Sequence, residues 1–360
     1  MGKKTIVLTD SLFALKDGRI CPEGADIERK AVQGGDAQLK FGLVKDGRYV
    51  IQGKEFLDHI RGADALIIFR AEITPEIVDA VKHSCQVVGR MGVGFDNLNV
   101  PLLKANGIFG FNIPDYCVDE VATSTAAMLL SLERGIPEQN AFIKTGKFDP
   151  YFGPLPRRTR TLTLGIVGAG CIGKAVAQKL APFYGRIIGF DPYVHADHMA
   201  GYGIEKVESL QELARASDAV TLHSVLSKPG ESERPTVGMI NKEFFSNMRK
   251  DAYLVNCARG AIIDMKDLYE ALKDRKIAGA GLDVFKPENP NADPIGAKLV
   301  QLPNVLAVCH RAWLSRESER SQRQRVIEGV LEVLTTGKAP RFGHLTEGLG
   351  PRFARAELSA

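Results

Sequence analysis

Over its 360 residues the sequence has no apolar run of membrane-spanning length, no CxxC pair and no block of basic residues. The first absence argues against a transmembrane segment. The start, Met1-Gly2-Lys3-Lys4 and then five apolar or small residues before Asp10, is too short to predict a signal peptide. The six cysteines (Cys21, Cys85, Cys117, Cys171, Cys257, Cys309) sit mostly in or beside apolar runs, which predicts reduced, buried thiols in a cytoplasmic protein. The histidines His59, His83, His195, His198 and His344 are scattered. His195 and His198 could share a helix face, but no cysteine or carboxylate framework surrounds them, so no metal site is expected. A formal net charge of +4 is small for this length and by itself decides nothing about nucleic acid. The densest basic stretch, Arg157-Arg158-Thr159-Arg160, follows a proline-rich loop and reads as a solvated connector. Neither a nucleic-acid nor a membrane partner is expected, and no solenoid-type repeat or low-complexity tract is present.

What remains is an ordinary soluble composition, 44% apolar and 25% charged, in a chain long enough to predict two domains. Its most informative stretch is Thr161-Leu-Thr-Leu-Gly-Ile-Val-Gly168-Ala-Gly170-Cys171-Ile172-Gly173-Lys174. An apolar β-type run ends in GxGxxG and an amphipathic segment, Ala175 to Phe183, follows. A second apolar run, Arg186 to Phe190, then leads into Asp191. In a strand–turn–helix unit Gly168 permits the tight turn, Gly170 lets the backbone approach a pyrophosphate, and Gly173 allows close helix–strand packing. The helix N-terminus faces the phosphate charge. Asp191 is placed to accept hydrogen bonds from the adenosine ribose. A glycine-rich connector without a ligand would not explain Asp191.

The rest of the chain predicts alternating strands and helices. Strands are expected at 5–9, 65–69, 87–90 and 108–112, and helices near 27–32, 54–61 and 75–82. A hairpin is expected at Lys45-Asp46-Gly47-Arg48, where Asp-Gly suits a type I′ turn. Val118, Val121, Ala122, Thr125, Met128, Leu129 and Leu132 fall at helical spacing. One long helix is therefore expected over 118–134, able to cross between domains or to bury against a partner chain. Residues 145–160, with Pro150, Pro154 and Pro156, read as a loop. After Asp191 short apolar strands recur at 219–223, 252–256, 278–284 and 305–309, with helices at 242–249, 266–274 and 315–336. This is the pattern of a parallel sheet covered on both faces.

In an open parallel sheet ligands sit outside the carboxyl ends of the strands. Those ends carry Arg259, Asp283, Glu288 and His310. A permanently charged guanidinium can bind a carboxylate bidentately. An imidazole titrates near working pH and can give a proton to a developing alkoxide. A carboxylate beside it would hold the ring and favour its protonated form. That set suits hydride transfer between a nicotinamide cofactor and a 2-oxo acid. Taken singly, each residue has a plainer reading: a solvated arginine, a turn glutamate, a packed histidine. His223, which also ends a strand, is expected to be structural or cofactor-adjacent.

Together, Gly168-Ala-Gly-Cys-Ile-Gly173 with Asp191, Asn256-Cys-Ala-Arg259-Gly260, Gly281-Leu-Asp283-Val-Phe-Lys-Pro-Glu288 and His310 resemble the D-isomer-specific 2-hydroxyacid dehydrogenases over about residues 60–340. The resemblance implies an α/β fold in which a Rossmann doubly wound parallel sheet is inserted into a second, flavodoxin-like substrate domain. Residues 1–113 and 314–345 would form the substrate domain, 114–313 the NAD-binding domain and 346–360 a C-terminal tail, with the catalytic residues lining a cleft between the lobes. It implies catalysis by Arg259, Glu288 and His310. NAD would be held by Gly168, Gly170, Cys171, Ile172, Gly173, Asp191, Ser224, Val225, Cys257, Ala258 and Asp283, the last at the nicotinamide carboxamide. Substrate would be bound by Arg90, Val93, Gly94, Arg259 and Trp313. A homodimer is implied, with the 118–134 helix in its interface.

Departures narrow the resemblance. His310-Arg-Ala-Trp313-Leu-Ser315 replaces the usual small residue and glycine after the histidine. With Arg90-Met-Gly-Val-Gly-Phe-Asp-Asn97 and Pro114-Asp-Tyr-Cys-Val-Asp-Glu120 it looks like the branch containing the C-terminal-binding proteins and their bacterial relatives. The Asp46-Gly47 hairpin and the extended Ser227–Thr236 loop are unusual, and the loop affects the contacts assigned near Val225. No C-terminal regulatory domain of the kind in many phosphoglycerate dehydrogenases is expected. Asp191-Pro192 without a neighbouring cation predicts NAD rather than NADP. The expected activity is reduction of small 2-oxo acids to D-2-hydroxy acids, with an apolar part of the substrate against Trp313. The alternative is an NAD(H)-sensing interaction protein of the corepressor type, and a third reading is a nucleotide-binding scaffold without chemistry.

Overall fold

The computed structural model describes residues 2–347, so all but the first two residues of the expected tail at 346–360 lie outside the described residues. The chain forms two compact units. Among the described residues, one comprises those up to Tyr116 together with those from Ser315 to Glu347, and the other is Cys117–Leu314.

The first unit is built on a five-stranded sheet in the order Ala37–Phe41, Lys4–Leu8, Ala65–Ile68, Val87–Arg90, Phe109–Phe111. Every pairing is parallel. In chain order this is 2-1-3-4-5, the flavodoxin-like arrangement. The interior strands are continuously apolar because both faces are covered. Phe56, Ile60, Ile77, Val78 and Leu103 pack on one side. Val326, Ile327, Val330 and Val333 of the helix Arg316–Thr336 pack on the other. That late helix is fixed to the early helix Asp26–Val32 by Arg323. Its guanidinium reaches the buried Glu28 at 3.0 and 2.8 Å and Asp26 at 2.9 Å, and lies 3.9 Å over the Phe13 ring. The expected hairpin is present as Leu43–Lys45 paired with Arg48–Val50. Asp46 and Gly47 are both at positive φ (51° and 75°), as a type I′ turn requires.

The second unit holds a seven-stranded, all-parallel sheet. Its order is Glu205–Lys206, Arg186–Phe190, Thr163–Val167, Ala219–Leu222, Tyr253–Asn256, Gly279–Leu282, Val305–Ala307. In this unit's chain order it reads 3-2-1-4-5-6-7, the doubly wound Rossmann pattern. The order reverses between Thr163–Val167 and Ala219–Leu222, which makes the ends of those strands the ligand-binding position.

The helix Val118–Glu133 corrects one expectation. Its apolar stripe, Val121, Ala122, Thr125, Met128, Leu129 and Leu132, is buried within its own unit, against the helix Cys171–Leu180 and the strands Tyr253–Asn256 and Gly279–Leu282. The stripe is therefore not available to a partner chain. Exposed apolar side chains instead follow it: Ile136 and Ile143 of the helix Ile136–Ile143, then Phe148, Tyr151 and Leu155. A second correction concerns the thiols. Cys85, Cys117 and Cys257 are buried, and burial pushes Cys85 and Cys257 up to about 12, but Cys171 and Cys309 are exposed. Among the described residues no helix is long and apolar enough to cross a membrane.

Candidate active site

The glycine turn is shaped as its sequence requires. Gly168 has φ +93°, and a Cβ there would lie 2.7 Å from the Ser224 nitrogen. A Cβ on Gly173 would lie 2.1 Å from the Gly168 carbonyl oxygen, whereas one on Gly170 would meet nothing within 4 Å. The first and third glycines are thus fixed by protein neighbours, and the second presents bare backbone to open space. The helix Cys171–Leu180 begins at the next residue, so the N–H groups of its first turn lack intrahelical partners. Asp191, just past Arg186–Phe190, accepts the Ala169 N–H and the Tyr193 N–H, each at 2.9 Å. Its carboxylate is therefore held at the turn before any ligand arrives.

The neighbouring strand end contributes His223, Ser224 and Val225. The Ser224 hydroxyl and both His223 ring nitrogens are buried without a hydrogen-bond partner, and burial lowers His223 to about 3, which keeps it neutral. Buried polar atoms are almost always paired in folded proteins. Unpaired ones beside a bare glycine turn, with an acid held behind it, suit a site completed by a dinucleotide. Val225 is 66% exposed. The loop at 227–236 lies against both sides of this position. The Thr236 hydroxyl donates to the Val225 carbonyl at 2.6 Å, and Ser232 Oγ lies 2.9 Å from the Tyr193 hydroxyl. Cys257 and Ala258 follow the next strand. The Cys257 thiol lies 3.9 Å from the Met128 sulfur, and so belongs to the core.

Three adjacent strands deliver the polar residues. After Tyr253–Asn256, the buried Asn256 side chain accepts the Ala258 N–H at 3.0 Å and donates to the Arg259 carbonyl at 2.9 Å, fixing the turn from which Arg259 projects. The Arg259 guanidinium donates to the Ala258 carbonyl at 2.9 Å. After Gly279–Leu282 comes Asp283, almost fully buried. Burial raises its pKa, opposed by the Arg311 and Ala312 N–H groups it accepts at 2.6 and 3.1 Å. After Val305–Ala307 comes His310. Its Nδ1 lies 2.5 Å from Glu288 Oε1, its N–H donates to the Asp283 carbonyl at 2.8 Å, and its carbonyl accepts the Trp313 indole N–H at 2.9 Å.

Glu288, Asp283, Trp313 and His310 are thus joined by direct bonds, and Arg259 projects from the neighbouring strand end. Asn256 was missed by sequence reasoning, although a polar residue closing an apolar run was visible. A divided use of Asp283, with side chain to Arg311 and Ala312 and carbonyl to His310, left no sequence signal.

The carboxyl edge of the other unit's sheet carries Arg90, Val93 and Gly94. Arg90 Nη1 donates to the Met91 carbonyl at 2.6 Å, and its guanidinium lies 5.7 Å from the centre of the Phe69 ring. Gly92, at φ +143°, makes room for it: a Cβ there would lie 1.1 Å from Arg90 Nη1. The Val93 carbonyl accepts from Asn112 at 2.5 Å. Two residues were missed. Asp10, 4% exposed, accepts the N–H groups of Phe69, Arg70 and Ala71 and shapes the neighbouring loop. The Arg70 guanidinium in that loop lies 5.6 Å from the centre of the Phe69 ring.

Residues 126–312, more than half of the chain, match the model described as "D-isomer specific 2-hydroxyacid dehydrogenase, NAD binding domain". A D-3-phosphoglycerate dehydrogenase of Methanocaldococcus jannaschii is 34% identical over 306 residues, 83% of this chain and 54% of that protein. The chain thus spans about half the length of the curated relatives of that name. A glyoxylate reductase of Korarchaeum cryptofilum is 33% identical over 77% of this chain and 82% of its own length. Among solved structures, D-lactate dehydrogenase of Aquifex aeolicus, complexed with NAD and lactic acid, superposes with a TM-score of 0.79. It is 25% identical and covers 93% of this chain and 96% of that one. The chain belongs to the D-isomer specific 2-hydroxyacid dehydrogenase family and carries that family's NAD-binding domain.

Proposed function

We propose that the protein is an NAD-dependent D-2-hydroxyacid dehydrogenase that reduces small 2-oxo acids. The observation that carries this reading is the 2.5 Å contact of His310 Nδ1 with Glu288, on strand ends adjacent to the one bearing Arg259. When bound, the nicotinamide cofactor supplies or accepts the hydride. Gly168, Gly170, Cys171, Ile172 and Gly173 would hold its pyrophosphate, Asp191 its adenosine ribose, and Ser224, Val225, Cys257, Ala258 and Asp283 the remainder. Arg259 binds the substrate carboxylate and polarises its carbonyl. Glu288 fixes the ring of His310, so that the other nitrogen, Nε2, faces away from it and gives a proton to the developing alkoxide. Arg90, Val93, Gly94 and Trp313 are assigned to substrate binding. The unit containing the N-terminal strands serves the substrate, and Cys117–Leu314 serves the cofactor.

A homodimer fits Ile136, Ile143, Phe148, Tyr151 and Leu155, large apolar side chains left exposed between residues 136 and 155. Free cysteines fit the cytoplasm. The test is an NADH-oxidation screen over pyruvate, glyoxylate, hydroxypyruvate and longer 2-oxo acids. Turnover well above background on at least one supports the enzyme. NADH binding with no turnover on any, together with NADH-dependent capture of a partner, would favour the corepressor-type alternative.

A further inference from the structure

His310 stands at φ +49°, in the left-handed region. Among the described residues four other non-glycine positions share that sign: Asp17, Asp46, Asn99 and Arg275. Three of these are the Asp and Asn residues that tolerate it by bonding their own backbone. Positive φ is uncommon for any residue but glycine, and at His310 bonds from outside the residue hold it. The Asp283 carbonyl takes the His310 N–H at 2.8 Å, the Asp283 carboxylate takes the two following N–H groups, and the Trp313 indole N–H caps the His310 carbonyl at 2.9 Å. The Leu314 N–H goes to the Arg311 carbonyl at 3.0 Å, so it is the indole that serves the carbonyl of His310. Trp313 is the one tryptophan in the sequence. What position 313 needs on this geometry is a long, rigid N–H donor, a requirement that a merely bulky apolar side chain would not meet.

We infer that Trp313 is a positioning residue: its indole N–H locks the His310 backbone in the conformation that puts the imidazole Nδ1 on Glu288. This rests on the reading of His310 as the proton donor, and it gives Trp313 a task separate from contact with a substrate side chain. A change in φ at His310 swings its Cβ and ring as one body, so loss of the bond loosens the 2.5 Å contact with Glu288.

The test compares Trp313→Phe, which keeps an aromatic ring and removes the donor, with Trp313→Ala. It uses pyruvate and phenylpyruvate as substrates of unlike side chain. NADH binding is measured by fluorescence, and the low-field proton spectrum is followed for the His310 Nδ1–H. Expected for Trp313→Phe is a loss in kcat of about 10- to 100-fold, the scale of an ångström-level misplacement, for both acids. KM and the NADH Kd stay within about threefold, and the Nδ1–H resonance shifts or disappears. Trp313→Ala shows the same kcat loss, whatever its KM for either acid. Trp313→Phe with wild-type kcat and an unmoved resonance would overturn the inference and leave Trp313 as a pocket wall. Loss of NADH binding in Trp313→Phe would also overturn it, since the indole would then support the whole unit. Absence of turnover in the wild type would defeat the enzymatic reading, while the resonance still reports whether the indole holds His310 on Glu288.

Discussion

The Asp283 carboxylate accepts the Arg311 N–H at 2.6 Å, so the end of one strand clamps the loop that leaves its neighbour. With the Ala312 N–H also bound, the side chain fixes the two residues after His310. Asp283→Ala leaves two N–H groups without their acceptor, at a cost of about 2–6 kcal/mol by the usual penalty per unsatisfied group. Asp283→Asn keeps one acceptor oxygen and is expected to cost less than half as much. Urea denaturation of both variants checks the order, and equal stabilities would show that the clamp contributes little.

Burial pushes Glu133 up to about 7; the Tyr184 hydroxyl at 2.5 Å lowers it and Asp218 raises it further. A carboxyl whose folded pKa lies above its unfolded value contributes stability at low pH that is lost as pH rises through the folded pKa. The wild type is therefore expected to lose on the order of 2–3 kcal/mol from this group between pH 4.5 and pH 7.5. Glu133→Gln should flatten that part of the profile. Parallel profiles for the two proteins would contradict it.

Gly92→Ala would meet Arg90 Nη1 and also require φ +143°. Gly34, at φ +77° with nothing within 4 Å of a Cβ, is the control for strain alone. Gly34→Ala is expected to cost about 1 kcal/mol. Gly92→Ala should cost roughly 1–3 kcal/mol and, by displacing Arg90, raise KM severalfold. Thermal unfolding and steady-state kinetics read both effects.

Phe148 is 86% exposed and Leu155 72%, in the stretch assigned to the dimer contact. Phe148→Ser with Leu155→Ser should shift the protein from dimer to monomer in light scattering at micromolar concentration. A wild-type monomer, or a double variant that remains a dimer, would remove this stretch from the interface.

Much of the fold was readable because parallel strands covered on both faces are short, continuous apolar runs, as at Ala219–Leu222 and Tyr253–Asn256. The strand Ala37–Phe41 is hidden in the sequence, because it lies at the sheet edge, alternates with Gln38 and Lys40, and follows Gly34-Gly35. The Asp17-Gly18 turn, with the same positive φ pair as Asp46-Gly47, leaves little sequence signal because its strands are two residues each. Short helices such as Val100–Ala105, Ala196–Ala200 and Leu210–Ala216 span too few turns to show a period. In the site, residue types at strand ends announced Arg259, Glu288 and His310. The supporting bonds of Asn256, Asp283 and Trp313 depend on which strands are neighbours, and spacing along the chain does not encode that.

The most direct measurement is single-turnover reduction of the best 2-oxo acid by His310→Ala, with NADH binding measured on the same preparation. Expected is a rate lower by roughly 100- to 10,000-fold, the range for a positioned general acid, with the NADH Kd within about threefold of wild type. A near-wild-type rate with NADH bound would contradict the assignment of His310 as the proton donor and, with it, the catalytic reading of the His310–Glu288 pair.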